Sequence, residues 1–221
     1  MKLGKVTSET KNSHGRWYGD ACGAAFGMEL LGERWAGLVL RELMLGARRF
    51  TDLRFALPGI SARVLTERLN GLEAAGLVRR DEEERLYGLT PWGRAVEPVL
   101  LAMCRWALMS PDRDMALAIS PVALMLSLRA LIVAERAADM DMTCAIIIAR
   151  ESFSLTLQLG VLTIARGGAG GDFILTAPNT APLKRFIYGK APLAGLPDLA
   201  LAGDAYMAMM FARCFALPDT V

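Results

Sequence analysis

Histidine is almost missing from this chain: His14 is the only one in 221 residues. Any metal or catalytic scheme that needs two imidazoles is thereby excluded, and a Ser/His/Asp triad has no base to draw on across most of the sequence. Cysteine is sparse too. Cys22, Cys104, Cys144 and Cys214 are far apart and form no C-x-x-C pair. A disulfide scaffold or structural zinc site does not fit, and reduced thiols in a cytoplasmic protein are the expectation. Net charge is only +2, too small a total to name a partner. Long apolar runs are also lacking. The most membrane-like stretch, 115–134, is broken by Ser120, Pro121 and Arg129 and falls short of the roughly 18 uninterrupted residues of a spanning helix. It reads as a buried amphipathic helix, so no membrane partner is expected. The opening residues carry basic groups without the apolar segment of a signal peptide. Asp172, Asp198 and Asp204 stand apart and suggest no metal. The glycines of 167–171 have neither dinucleotide nor phosphate-loop spacing and read as a hairpin turn. No cofactor, metal or catalytic residue is expected, and the chain does not read as an enzyme.

What the chain has in quantity is apolar surface: 53% hydrophobic residues and a mean hydropathy of +0.32. That is enough for a sizeable core and argues against disorder. Charge is unevenly shared. Residues 1–110 carry 16 Lys/Arg against 13 Asp/Glu, while 111–221 carry 9 against 10. The turn-forming segment Ser110–Asp114 marks the expected boundary. The reading is a flexible arm (1–18), a helical front unit (19–110) and a sheet-containing unit (111–221).

The front unit reads as helices. RWAGLVLRELMLG puts Trp35, Leu38, Val39 and Leu43 on one face, with Gly46 as terminator. A short element follows at Phe50–Leu57. Ser61 then caps a helix on which Leu65, Leu69 and Leu72 form a buried stripe, and Gly76 closes it. On the opposite side lie Arg63, Thr66, Glu67 and Asn70. Short helix, tight turn and an outward helix bearing Arg and Asn are what a major-groove reader requires. Arg63 can donate to guanine or to phosphate, and Asn70 can pair with adenine or lie at the rim. Glu67 can accept from cytosine N4 or simply pair with Arg63 one turn away. Two short strands, Leu77–Arg80 and Arg85–Leu89, read as a wing. Its acidic tip is flanked by Arg79, Arg80 and Arg85, which with Arg48 and Arg49 are the phosphate candidates. Thr90 and Pro91 open a last helix, bent by Pro98. Its Val96, Val99, Leu100, Met103 and Trp106 exceed what so small a unit can bury alone, which points to a second copy.

These motifs resemble the HxlR family of winged helix-turn-helix regulators over residues 22–106. The resemblance rests on Cys22, G-x-R-W at 32–35, L-R-E-L at 40–43, R-R-F-x-D-L-R at 48–54, G-I-S-x-x-x-L-x-x-R-L at 59–69, L-x-x-x-G-L-V at 72–78 and Y-x-L-T-x-x-G at 87–93. It implies a homodimeric DNA-binding repressor or activator whose terminal helices form much of the dimer interface. In some relatives the cysteine at the position of Cys22 senses oxidants or electrophiles. Here its small, apolar sequence context, with no adjacent Lys/Arg pair, reads better as a structural thiol.

The back unit reads as a helix at 121–137 opened by Ser120 and Pro121, then strands near 142–149, 152–159 and 161–166. Phe153, Leu155, Leu157 and Leu159 alternate with polar residues, as in a half-buried antiparallel sheet. A strand at 172–176 and helices at 179–188 and 204–215 follow. This order resembles, more loosely, the sterol-carrier-protein-2-like (SCP2-like) fold, an antiparallel or mixed sheet covered by helices. That fold can enclose an apolar tunnel. Phe153, Leu155, Leu157, Phe186, Met207, Met210 and Phe211 are then the ligand candidates, or else ordinary core. The whole is an α+β chain. The expected function is a sequence-specific, homodimeric transcriptional regulator of double-stranded DNA, controlled by a small apolar ligand. The alternative is a lipid or apolar-metabolite carrier whose winged unit serves in assembly.

Overall fold

The computed structural model describes residues 18–221. His14 and nearly all of the expected N-terminal arm lie outside the described residues. The first half is built from helices α1 (Gly23–Leu31), α2 (Ala36–Leu43), α3 (Phe50–Ala56) and α4 (Ala62–Ala74), with strands β1 (Arg48–Arg49), β2 (Val78–Asp81) and β3 (Leu86–Leu89). The three strands form one small sheet in the order β1-β3-β2. Local chemistry explains the corners. The Ser61 hydroxyl accepts from the Val64 N–H at 3.2 Å and starts α4. Gly76, at φ +76°, ends it in the left-handed region that favours glycine. Thr90 links α4's end to the next helix: its hydroxyl donates to the Gly76 carbonyl at 2.7 Å and accepts from the Gly93 N–H at 3.0 Å. Gly93 has no alternative, because a Cβ there would sit 1.9 Å from the Leu77 carbonyl oxygen.

The last helix of this half is not one bent rod. It is split into α5 (Pro91–Arg94) and α6 (Glu97–Ala107), and Pro98 sits in the first turn of α6. A proline ring clashes with the carbonyl four residues back, here Arg94, where α5 stops. The proline thus starts a helix rather than bending one.

The second half begins with α7 (Pro121–Leu131), capped by Ser120 accepting from the Ala123 N–H at 3.0 Å. The expected 121–137 helix breaks at Ile132, and α8 (Ala134–Ala137) is separate. Strands β4 (Asp141–Ile148), β5 (Glu151–Gln158), β6 (Val161–Arg166), β7 (Phe173–Ala177) and β8 (Ala200–Gly203) then form a five-stranded sheet with α9 (Thr180–Ile187) and α10 (Ala205–Arg213). The strand order is β6-β5-β4-β7-β8. β4 pairs antiparallel with β5 and parallel with β7, so the sheet is mixed. The glycine segment 167–171 is therefore not a hairpin turn: it carries the chain from the edge strand β6 back to β7 beside β4. Alternation holds in β5, with Phe153, Leu155 and Leu157 buried, but Leu159 lies in an exposed turn at φ +49°.

Leu65, Leu69 and Leu72 are buried as expected, each worth about 1.5–3 kcal/mol relative to exposure. The α2 face differs. Ala36, Val39, Leu40 and Leu43 are buried, whereas Leu38 is 40% exposed. Helix α7 of the second half packs on α2. The apolar core accordingly runs without interruption from the helices of the first half into the sheet of the second.

Candidate nucleic-acid interface

Helix α3, the turn at Pro58–Ile60 and helix α4 form a helix-turn-helix, with the β2–β3 hairpin beside it as the wing. On α4, Ser61, Arg63, Thr66, Glu67 and Asn70 are all exposed, opposite the Leu65/Leu69/Leu72 stripe. The side chains are held in different ways. The Thr66 hydroxyl donates back to the Ala62 carbonyl at 3.0 Å, and the Ser61 hydroxyl is committed to its cap. The Arg63 guanidinium, 88% exposed, pairs with Glu67 through Nε–Oε1 at 2.9 Å. That pair raises the Arg63 pKa, by the Glu67 hydrogen bond first and its charge second.

In the wing, Arg79, Arg80 and Arg85 are exposed. Arg80 pairs with Glu82 at 3.2 Å and lies over the Tyr87 ring at 5.7 Å. The tip is folded by Asp81, whose carboxylate accepts from the Glu83 and Glu84 N–H groups at 3.1 and 3.0 Å. One acidic residue of the tip is therefore a turn former. Arg49 is exposed at the start of α3.

Arg48 departs from expectation. It is 8% exposed, and its guanidinium is held inside between Glu42 and Glu151 at 3.4 and 3.1 Å. Successive residues of a strand point to opposite faces, so Arg48 and Arg49 cannot both face outward, and Arg48 lies inside, where no phosphate reaches. Glu42, fully buried, was not anticipated. A signal existed: it lies three residues after Val39 and shares the buried side of α2. Cys22 also differs from a structural thiol. It is exposed at the N-terminus of α1, and the backbone N–H groups of Ala25 and then Ala24 lower its pKa.

The expected ligand residues are not gathered around a tunnel. Phe153, Leu155, Leu157 and Phe211 are packed core, with Phe211 edge-on to Phe173 and Phe215 at 5.6 and 4.9 Å. Rings at these separations fill the space between sheet and helices. Phe186 and Met210 line an open groove of about 700 Å³ beside Arg136, Lys190, Leu193 and Arg213. Met207 is half-buried against the core instead.

An outward α4, capped and backed by leucines, with a wing of exposed arginines beside it, defines a DNA-binding protein of the winged helix-turn-helix class. Comparison with known proteins agrees. The family model described as HxlR-like helix-turn-helix matches residues 30–115. The HTH-type transcriptional regulator YvaP of Bacillus subtilis (strain 168) is 39% identical over 85 residues, which is 36% of this chain and 79% of that protein. YodB of the same organism, also an HTH-type transcriptional regulator, is 39% identical over 83 residues, 35% of this chain and 74% of its own. The crystal structure of quinone-bound YodB aligns with 38% identity over 38% of this chain and 93% of that chain, at a TM-score of 0.36. The chain belongs to the HxlR-like helix-turn-helix family. No helix among the described residues is long and apolar enough to cross a membrane.

Proposed function

We propose that this transcriptional regulator binds its operator as a homodimer, with α4 in the major groove and Arg49, Arg79, Arg80 and Arg85 at phosphates. The observation that carries the reading is the sidedness of α4. Leu65, Leu69 and Leu72 are buried, while Arg63, Thr66 and Asn70 face outward beside the wing. Residues 19–110 are the DNA-binding and dimerisation unit and 111–221 the sensing or bracing unit. A dimer is supported by the face of α5–α6, where Trp92, Val99, Met103 and Trp106 are 48%, 48%, 48% and 73% exposed. Two such faces in contact would cover apolar surface that one chain leaves in water.

The sheet half is read as SCP2-like from its order of elements, and a small apolar ligand is assigned to the groove at Phe186, Leu193 and Met210. Methionine and an open apolar wall suit an irregular ligand. Cys22 is read as the site for an oxidant or electrophile, because an exposed thiol with a lowered pKa is the reactive kind. Titration of the full chain on duplex from its own promoter, against a scrambled duplex of equal length, tests the central reading. Preferential binding of the promoter is expected, and equal affinity for both would refute it.

A further inference from the structure

A chain of charges, buried at Glu42 and Arg48 and half-buried at Glu151 and Arg166, joins the two halves at the base of the wing. Glu42 of α2 accepts from Arg41 at 2.8 Å and from the Ser120 hydroxyl at 2.6 Å with one carboxylate oxygen. Its other oxygen pairs with Arg48 Nη1 at 3.4 Å. The second terminal nitrogen of Arg48 donates to Glu151 Oε1 of β5 at 3.1 Å. The remaining oxygen of Glu151 pairs with Arg166 of β6, whose guanidinium lies over the Phe153 ring at 5.3 Å. The charges thus run from α2 and β1 of the first half to the outer strand of the second sheet.

We propose that Glu151 is a positioning residue for DNA binding, acting through Arg48 on Arg49 and the wing. β1 consists of Arg48 and Arg49 alone and is registered on β3 through Arg48↔Tyr87 and Arg49↔Leu86. So short a strand has few ladder hydrogen bonds to hold its own direction. The inward clamp on Arg48 supplies what is missing, and because neighbouring strand residues point oppositely, it turns Arg49 outward. The same clamp holds β1 against β3, the wing strand that carries Tyr87 under Arg80. Glu42 cannot do this alone, since it is shared with Arg41 and Ser120 and lies farther from Arg48 than Glu151 does. Glu151 is the first residue of β5, directly after the Ala149–Arg150 turn that joins it to the central strand β4. This ion pair is therefore a path by which a shift of the second sheet reaches β1. This inference rests on the reading of Arg49 as a phosphate contact.

Operator titrations of the full chain over a range of salt test it, using Glu151→Gln, Arg49→Ala, Arg48→Met and the Arg48→Met/Glu151→Gln double variant. Glu151→Gln is expected to weaken operator binding about five- to tenfold and to lower the salt slope by about one contact. In the Arg48→Met background it should change neither. Affinity within about twofold of the parent, or an equal loss in both backgrounds, would overturn the proposal. If Glu151→Gln does not fold, Glu151→Asp keeps the charge but withdraws it by one methylene. It should show the same change at smaller amplitude, and an unchanged salt slope would again overturn the proposal. Two failures remain distinguishable. If Arg49→Ala leaves affinity and slope intact, the phosphate reading itself is wrong and the proposal falls with it. If Arg49→Ala weakens binding and Glu151→Gln does not, only the proposal falls.

Discussion

Arg63 and Glu67 face each other across one turn of α4, Nε to Oε1 at 2.9 Å, on a surface that neither the core nor the wing covers. The residue proposed to read a base is therefore held by a carboxylate before DNA arrives. To reach guanine or phosphate, Arg63 must leave Glu67 or carry it along. Glu67→Gln should bind non-specific duplex more tightly than the parent, because it removes a charge that repels phosphate and releases Arg63. Stability should hardly change, as exposed ion pairs contribute little. Fluorescence anisotropy with random-sequence duplex is the measurement, and weaker binding would contradict the assignment.

Glu42 is predicted to be structural. Glu42→Ala leaves Arg48 buried with one fewer partner and removes the acceptor of Arg41 and Ser120. Breaking a buried pair in this way costs about 3–5 kcal/mol. Since the core is continuous across both halves, denaturant unfolding followed by tryptophan fluorescence and by far-UV circular dichroism should shift together. Separate shifts by the two probes would argue for independent units.

Trp106→Glu places a charge at the most exposed point of the apolar face on α6. Sedimentation is expected to show a dimer for the parent and a monomer for the variant, with unchanged secondary structure. Operator affinity should fall with it, because half-sites are then bound singly. A variant that still sediments as a dimer would place the seam elsewhere.

The four thiols should react in a set order. Cys22 is exposed and its pKa lowered by first-turn N–H groups, whereas burial raises Cys104 and Cys214 and pushes Cys144 up to about 12. Brief iodoacetamide treatment near neutral pH, read by peptide mass spectrometry, should label Cys22 first. Faster labelling of Cys104 would contradict the helix-terminus account.

Cys144 also sets an alkaline limit. Burial first, and the Asp172 charge second, raise its pKa in the folded chain from about 9 to about 12. Over that interval the unfolded chain ionises and the folded chain does not, so this contribution to stability is complete below about pH 9. It is lost as pH rises toward about 12. Urea midpoints measured upward from pH 8.5 should fall less steeply for Cys144→Ala than for the parent. Equal slopes would contradict the shift.

Much of this architecture is written locally. Ser61, Thr90 and Ser120 act as caps because each hydroxyl needs only the amide three residues on, and the Leu65/Leu69/Leu72 spacing needs only the helical repeat. The exposed face of α4 follows from the same repeat. What could not be read locally depends on the partner half. Leu38 is exposed and Leu40 buried on α2, a helix that also packs against α7 of the other half. Arg48 turns inward because Glu151, over 100 residues away, meets it. β8 escaped because Ala200–Gly203 has no alternation of its own and pairs only at the sheet edge. The packing of Phe153, Leu155 and Leu157 was not legible for a related reason: alternation identifies the buried face of β5 but not whether helices leave space above it.

The most direct test of a base-reading α4 is the specificity ratio of two single variants, Arg63→Ala and Arg49→Ala, titrated on duplex from its own promoter and on scrambled duplex. Arg63→Ala should lose about 1–3 kcal/mol on the operator and far less on scrambled DNA. Arg49→Ala should weaken both alike, as a phosphate contact does. Equal losses on both duplexes for Arg63→Ala would contradict the account.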